Sequence, residues 1–264
     1  MKKLKSFLVI FAIVFCVMFC TMSVNAQGVG GKAGTGGEGG FGGGQALSFI
    51  TSTYVAETGA GPFASITSPS LTLSAGQMVD VYCRNGTSTA NAFTFSSTPS
   101  NTWVALSAQA MNNSEGNGQF GYAFNVGAGS TTFTCTPATS AGYMSMIVLV
   151  YSTSPIFSTL NTTVGTSAFS APGETFTSPA FSTTQAGVIV LCSSAGTAAD
   201  GWTAGTIAGS SATIRQVAAS GGIGSNSDAA CEDIISATSQ TSVTGTITLS
   251  ASGRGYSLTV GAFN

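Results

Sequence analysis

Histidine is absent from this 264-residue sequence, and charge is scarce: Lys and Arg number seven and Asp and Glu nine. Without histidine there is no Ser-His-Asp or Cys-His nucleophile system and no His-bearing zinc or copper site. No Cys-x-x-Cys occurs, which removes the common redox and zinc spacings. The glycine-rich "GVGGKAG" is no phosphate loop, since it follows no strand, precedes no helix and lacks the Gly-Lys-Ser/Thr ending. No cofactor is expected. No stretch reads as a convincing amphipathic helix, although "ACEDIISATS" has room for one turn.

The ends differ from the rest. "MKKLK" is a basic n-region, "FLVIFAIVFCVMF" an apolar h-region, and "SVNAQ" places small residues at Val24 and Ala26 for cleavage before Gln27. That order predicts a secretory signal peptide over residues 1–26. A retained membrane anchor is the alternative, the run from Phe7 to Met22 being slightly short of a span of about 20 residues. Cys16 and Cys20 lie inside it, and neither follows the small residue that a lipoprotein site needs. After cleavage no membrane contact is expected. Residues 27–44 read as a flexible tether: eleven glycines fill the seventeen positions from Gly28 to Gly44, too few apolar groups to offset the entropy of ordering.

The chain after residue 26 keeps four basic residues (Lys32, Arg84, Arg215, Arg254) against nine acidic ones, a net charge of −5. So few cations leave no footprint for nucleic acid or an anionic membrane. Solubility must come from Ser, Thr, Asn and Gly, and such a weakly repulsive surface tends to associate. Four cysteines also remain: Cys83, Cys135, Cys192 and Cys231. An even count in an exported chain predicts two disulfides, with three connectivities open. Pairing within each half, Cys83 with Cys135 and Cys192 with Cys231, is the expectation.

Folded sequence starts near Gln45. "LSFITSTYVAE", "SLTLSAG", "QMVDVYC", "AFTFSS", "QFGYAFNV", "TTFTCT" and "MSMIVLVYS" are short, rich in Val, Ile, Thr, Phe and Tyr, and separated by Gly, Ser, Asn and Pro. That pattern predicts an all-β, antiparallel β-sandwich over residues 45–264. In "QFGYAFNV" the alternation puts Phe120, Tyr122, Phe124 and Val126 toward a core and Gln119, Gly121, Ala123 and Asn125 toward water.

The sequence also repeats. Residues 68–90, "SPSLTLSAGQMVDVYCRNGTSTA", align with 178–200, "SPAFSTTQAGVIVLCSSAGTAAD", and 126–152 with 235–264. Two half-repeats, about 60–155 and 170–264, are expected to form one fused domain. The alignment sets Val79, Val81 and Cys83 on the same face as Val188, Val190 and Cys192, with Ile189 and Leu191 replacing Asp80 and Tyr82 behind. The second strand is therefore apolar on both sides, as in a strand covered twice. The other possibility is an exposed patch for a partner.

Two carboxylates suffice for glycoside hydrolysis, and Asp80, Glu115, Glu174, Asp200, Asp228, Glu232 and Asp233 are the candidates. They are scattered, and Glu232 and Asp233 point opposite ways if extended, so an enzyme is not expected. Asp228, Glu232 and Asp233 near Asn226 match no calcium loop. No metal is expected. Sugar-binding sandwiches use exposed rings beside polar groups. Trp103, in "SNTWVAL", reads as core; Trp202, in "DGWTAG" beside Asp200, is the candidate ligand-binding ring.

From about residue 46 onward the chain resembles uncharacterised secreted bacterial Ser/Thr/Gly-rich two-repeat β-sandwich modules of adhesin-like extracellular proteins. The segments that carry the likeness are "SAGQMVDVYC", "QAGVIVLCSSAG", "GAGSTTFTCTPATSAGYMSMIVLVYS" and the closing "EDIISATSQTSVTGTITLSASGRGYSLTVGAF". The resemblance implies jelly-roll-like architecture and surface display, and brings no catalytic residues. The expected function is a secreted or cell-surface, non-catalytic module acting in extracellular assembly or adhesion. The segment "ALSFITSTYVAE" would add to a neighbour's sheet edge. The rival is a lectin-like carbohydrate-binding module using Trp202 and Asp200, with a surface glycan or protein as partner.

Overall fold

Runs of β-branched and aromatic residues between turn residues fold into strands throughout. The computed structural model describes residues 47–57, 61–86, 91–111, 116–152, 158–169, 174–195, 201–218, 228–249 and 255–264, with no helix among them and so none that could cross a membrane. The expected leader and tether lie outside these residues. All described strands belong to one compact unit, Gly40–Asn264.

The first half holds β1 (Ser48–Ala56), β2 (Ile66–Thr67), β3 (Leu71–Leu73), β4 (Met78–Asn85), β5 (Phe93–Thr98), β6 (Val104–Ala105), β7 (Gln109–Ala110), β8 (Asn117–Ala123), β9 (Gly129–Pro137) and β10 (Met144–Ser152). The second holds β11 (Leu160–Phe169), β12 (Thr175–Thr177), β13 (Gly187–Ala195), β14 (Trp202–Ile207), β15 (Ser210–Ser211), β16 (Thr213–Ala218), β17 (Asp228–Ser236), β18 (Gly245–Leu249) and β19 (Gly255–Phe263). Each half makes two antiparallel sheets. In the first half, the order β1-β10-β4-β8, with β6 and β7 on β8, faces a sheet built on β9 with β2, β3 and β5. In the second half, β11-β19-β13-β17-β16 faces β12-β18-β14-β15.

Three buried clusters stack these sheets into four layers. Val79, Val81, Met146 and Val148 pack against Phe93, Phe95 and Phe133 inside the first half. Ile189, Leu191, Leu258 and Val260 pack against Phe176, Ile207 and Ile247 inside the second. The middle cluster is shared: Met78, Tyr82, Phe120, Tyr122, Leu149 and Tyr151 meet Val188, Val190, Cys192, Cys231 and Phe263. Each inner sheet is thus buried on both faces, which is why β4, β10, β13 and β19 read as almost unbroken apolar runs. Gly118 in β8 belongs to this close packing, since a Cβ there would sit on the Tyr82 hydroxyl. The outer faces are tiled instead by hydroxyl pairs such as Thr67–Thr134 (2.9 Å) and Thr175–Thr248 (2.7 Å).

Three expectations need correction. The faces of β13 are shifted by one residue from the alignment. Val81 lies opposite Val148 of β10, whereas Leu191, not Val190, lies opposite Val260 of β19. Ile189 and Leu191 therefore fill their own half's core, and Val188, Val190 and Cys192 face the middle layer, while Cys83 faces the first core. A one-residue slip exchanges the faces of a whole strand.

The polar face of β8 does not meet water. Gln119 and Ala123 are buried, and Gln119 accepts from the Phe93 N–H (2.5 Å) and donates to the Leu106 carbonyl (2.6 Å). Val126 joins the first core, not the aromatic face, because Asn125 takes φ 53° and turns the chain over. "ACEDIISATS" is extended as β17, held on both sides by β13 and β16, and contains no helical turn. β1, the segment expected to add to a neighbour's sheet, pairs on one side with β10 along its length. Deleting residues 27–56 would therefore strip a partner from β10, so that deletion cannot leave the core intact.

Both disulfides follow the expected pairing. Cys83–Cys135 ties β4 to β9 across the first core, and Cys192–Cys231 joins directly opposed residues of β13 and β17. Two disulfides fit an oxidising compartment.

Candidate functional site

Trp202 opens β14 opposite Leu249 of β18. Its ring is half-buried against the second core, edge-on to Phe176 at 6.1 Å and 74°, and its Nε1 is buried without a hydrogen-bond partner among the described residues. Trp202→Ala therefore disturbs packing as well as any surface role. Asp200 lies outside the described residues. Trp103 takes the matching kind of position in the first half, stacked on Phe95 at 6.1 Å and donating to Ser97 Oγ at 3.3 Å.

Two of the described carboxylates, Asp80 and Asp233, lie at the seam between the halves. Asp233 of β17 points into the middle layer, where the Tyr151 hydroxyl donates to its Oδ2 (2.6 Å) and Arg215 Nε donates to its Oδ1 (2.8 Å). The Arg215 guanidinium also lies 4.4 Å over the Phe49 ring, a partly buried cation–π contact. Asp80 of β4 faces the same layer, 1% exposed, with neither oxygen hydrogen-bonded among the described residues. Burial, and then the negative charge of Asp233, push the Asp80 carboxyl well above the usual range, which favours its neutral form. A second polar knot crosses the seam nearby: the Tyr82 hydroxyl donates to Ser194 Oγ (3.0 Å), which shares a 2.8 Å bond with Ser257 Oγ.

Sequence reasoning passed over this cluster. A lone Asp in an alternating strand reads as solvent-facing, and nothing local in "QMVDVYC" signals that Asp233 and Tyr151 stand across from it. The available signal was that Tyr82 shares the face of Asp80, which is odd for a wet face.

Glu232 points the other way, toward the second core, accepting from the Gly205 N–H at 3.0 Å. Glu232 and Asp233 thus cannot share an ion, and no group of three potential metal ligands occurs among the described residues. Burial raises the Glu232 pKa from 4.5 to about 7, with Asp233 adding to the rise and the Gly205 bond opposing it. Asp233 is also raised by burial, against the lowering effect of Tyr151 and Arg215. The folded state therefore binds more protons than the unfolded state between these values, and stability falls as pH rises from about 4.5 through 7. Glu232→Gln should remove the Glu232 share of that slope and gain about 2–3 kcal/mol at pH 8, read by urea unfolding at pH 5 and 8.

A small cleft opens where β7 lies over β11. It has a volume of about 140 Å³ and is lined by Ser107, Gln109, Thr163, Val164, Gly165 and Thr259. Its groups are hydroxyls and one amide, with no charge, and the buried Thr259 hydroxyl has no hydrogen-bond partner among the described residues. Fold and site together define an all-β, sandwich-like protein with Asp80, Glu232 and Asp233 packed between its layers. Comparison with family models, with characterised proteins and with solved structures finds no match, so function must be argued from these residues.

Proposed function

We propose that this protein is a secreted or cell-surface, non-catalytic β-sandwich that works by binding, in extracellular assembly or adhesion. The observation that carries the reading is where its charge goes. Asp80, Glu232 and Asp233 are sealed inside the layers, while the outer faces present Ser and Thr hydroxyls. A surface with few charges is weakly repulsive and favours contact with other surfaces. The disulfides, the leader-like N-terminus and the glycine-rich tether support export and display, and the two halves support an internal repeat through their matched sheet orders.

The test is expression of the full chain in a secreting bacterial host. The reading expects extracellular or surface-bound protein that starts at Gln27, carries two disulfides, and is retained on cells or in large assemblies. A chain that stays reduced in the cytoplasm would overturn it. A carbohydrate-binding module is the second reading, favoured by the hydroxyl-lined cleft at Gln109 and Thr259 rather than by Trp202. It expects polysaccharide retention that Gln109→Ala abolishes at unchanged melting temperature.

A further inference from the structure

The phase of the β1–β10 ladder determines which backbone groups of β1 are left over. Glu57 N–H donates to the Met144 carbonyl at 2.9 Å, one step beyond the pair Ala56–Ser145. Antiparallel pairing alternates, so Thr51, Thr53 and Val55 bond to β10, and Ser52, Tyr54 and Ala56 turn their N–H and C=O outward. The same holds for β11. Asn264 and Thr159 exchange both bonds at 3.1 Å, which assigns Thr162, Val164 and Thr166 to β19 and leaves Thr163, Gly165 and Ser167 facing outward.

These two margins lack the usual protection. Proteins keep sheet edges short, charged or interrupted by proline. The opposite margins here conform: β6 and β7 have two residues each, and the six-residue β16 carries Arg215. By contrast β1, "SFITSTYVA", and β11, "LNTTVGTSAF", run nine and ten residues without a charge or a proline. Among the described residues four large apolar side chains are conspicuously exposed, and two of them, Ile50 at 47% and Tyr54 at 45%, are on β1.

The two margins also face apart. β1 stands over β16, where Ser52 Oγ donates to the Arg215 carbonyl at 3.1 Å. β11 stands against β7, with Gly165 beneath Gln109. A copy engaged through β1 thus keeps β11 free on its far side.

We propose that β1 of one copy pairs antiparallel with β11 of a second copy, joining their inner sheets into an open-ended chain. This deepens, and rests on, the assembly reading above. The occupant is a second copy because the chain itself carries both open margins, each uncharged, free of proline and matched in length at nine and ten residues. Neither margin carries a charge, so the pair opposes no like charges. Because the contact is heterologous and does not close, it propagates.

The test is sedimentation velocity on the full secreted, oxidised chain over a concentration series, with Ala56→Pro and Ser167→Pro. Proline at either position removes an outward N–H that the chain's own ladder does not use. Tyr54→Lys and Ser167→Lys serve as a second pair should proline impair folding. The wild type should grow beyond dimer, and each variant alone should stay monomeric. An equimolar mixture of the two should form a dimer and nothing larger, since one intact β1 and one intact β11 remain. Ser167→Pro dimerising alone would overturn the proposal in favour of β1–β1 pairing. Undiminished growth of both variants would overturn this surface and leave the assembly reading standing. A wild-type monomer at every concentration would overturn the proposal, and cell adhesion would then decide the broader reading.

Discussion

Phe120→Ala lowers the stability of the entire described fold, by about 3–5 kcal/mol. Phe120 is fully buried in the middle layer, 6.4 Å from the Tyr82 ring and 6.0 Å from the Phe263 ring. Phe263 belongs to the second half and also contacts Tyr122 at 5.1 Å and Phe124 at 6.1 Å. Four rings of the first half thus close around the last strand of the second. Emptying the centre of that cluster leaves a void between two hydrogen-bonded sheets, which cannot collapse into it without breaking their registers. For a unit of this size the loss corresponds to a fall in melting temperature of about 10 °C. Calorimetry should show the wild type melting in one transition, because neither inner sheet has a complete second face without the other half.

Removing Cys83–Cys135 by a double alanine change should cost about 4 kcal/mol, the chain-entropy value for closing a 52-residue separation. Cys192–Cys231 closes 39 residues and has a similar entropic value, about 4 kcal/mol. The structural roles differ. The first bond joins two sheets across a core, where no backbone ladder connects β4 to β9. The second joins strands already paired from Gly187 to Ala195, so the ladder holds them when it is cut. The first double variant should therefore unfold at clearly lower urea than the second. All four cysteines are fully buried, so reduction by dithiothreitol in the absence of denaturant should be slow and limited by opening of the fold.

How much of this was legible depended on whether the deciding contact was local. The strands were, because "MSMIVLVYS" and "TTFTCT" carry their propensity within a few residues. So was the double coverage of "GVIVLC", which is apolar on both sides. The register of that strand was not: with Val, Ile and Leu on either face, its pattern is silent about which face is which, and aligning the two cysteines chose the wrong one. Gln119 read as wet because its partners, Phe93 N–H and the Leu106 carbonyl, arrive from other strands. Trp202 read as exposed because Phe176, which covers its edge, belongs to β12. The unprotected margins of β1 and β11 were half legible: their composition is plain in the sequence, but only the pairing shows that they end their sheets.

The most direct test of the self-assembly account is amide hydrogen exchange resolved to single residues, at low and high protein concentration. Thr51, Thr53 and Val55 should be protected at both, since they bond to β10. Ser52, Tyr54, Thr163, Gly165 and Ser167 should exchange rapidly in dilute solution and become protected together as concentration rises. Protection that appears elsewhere while these five amides stay open would contradict the account.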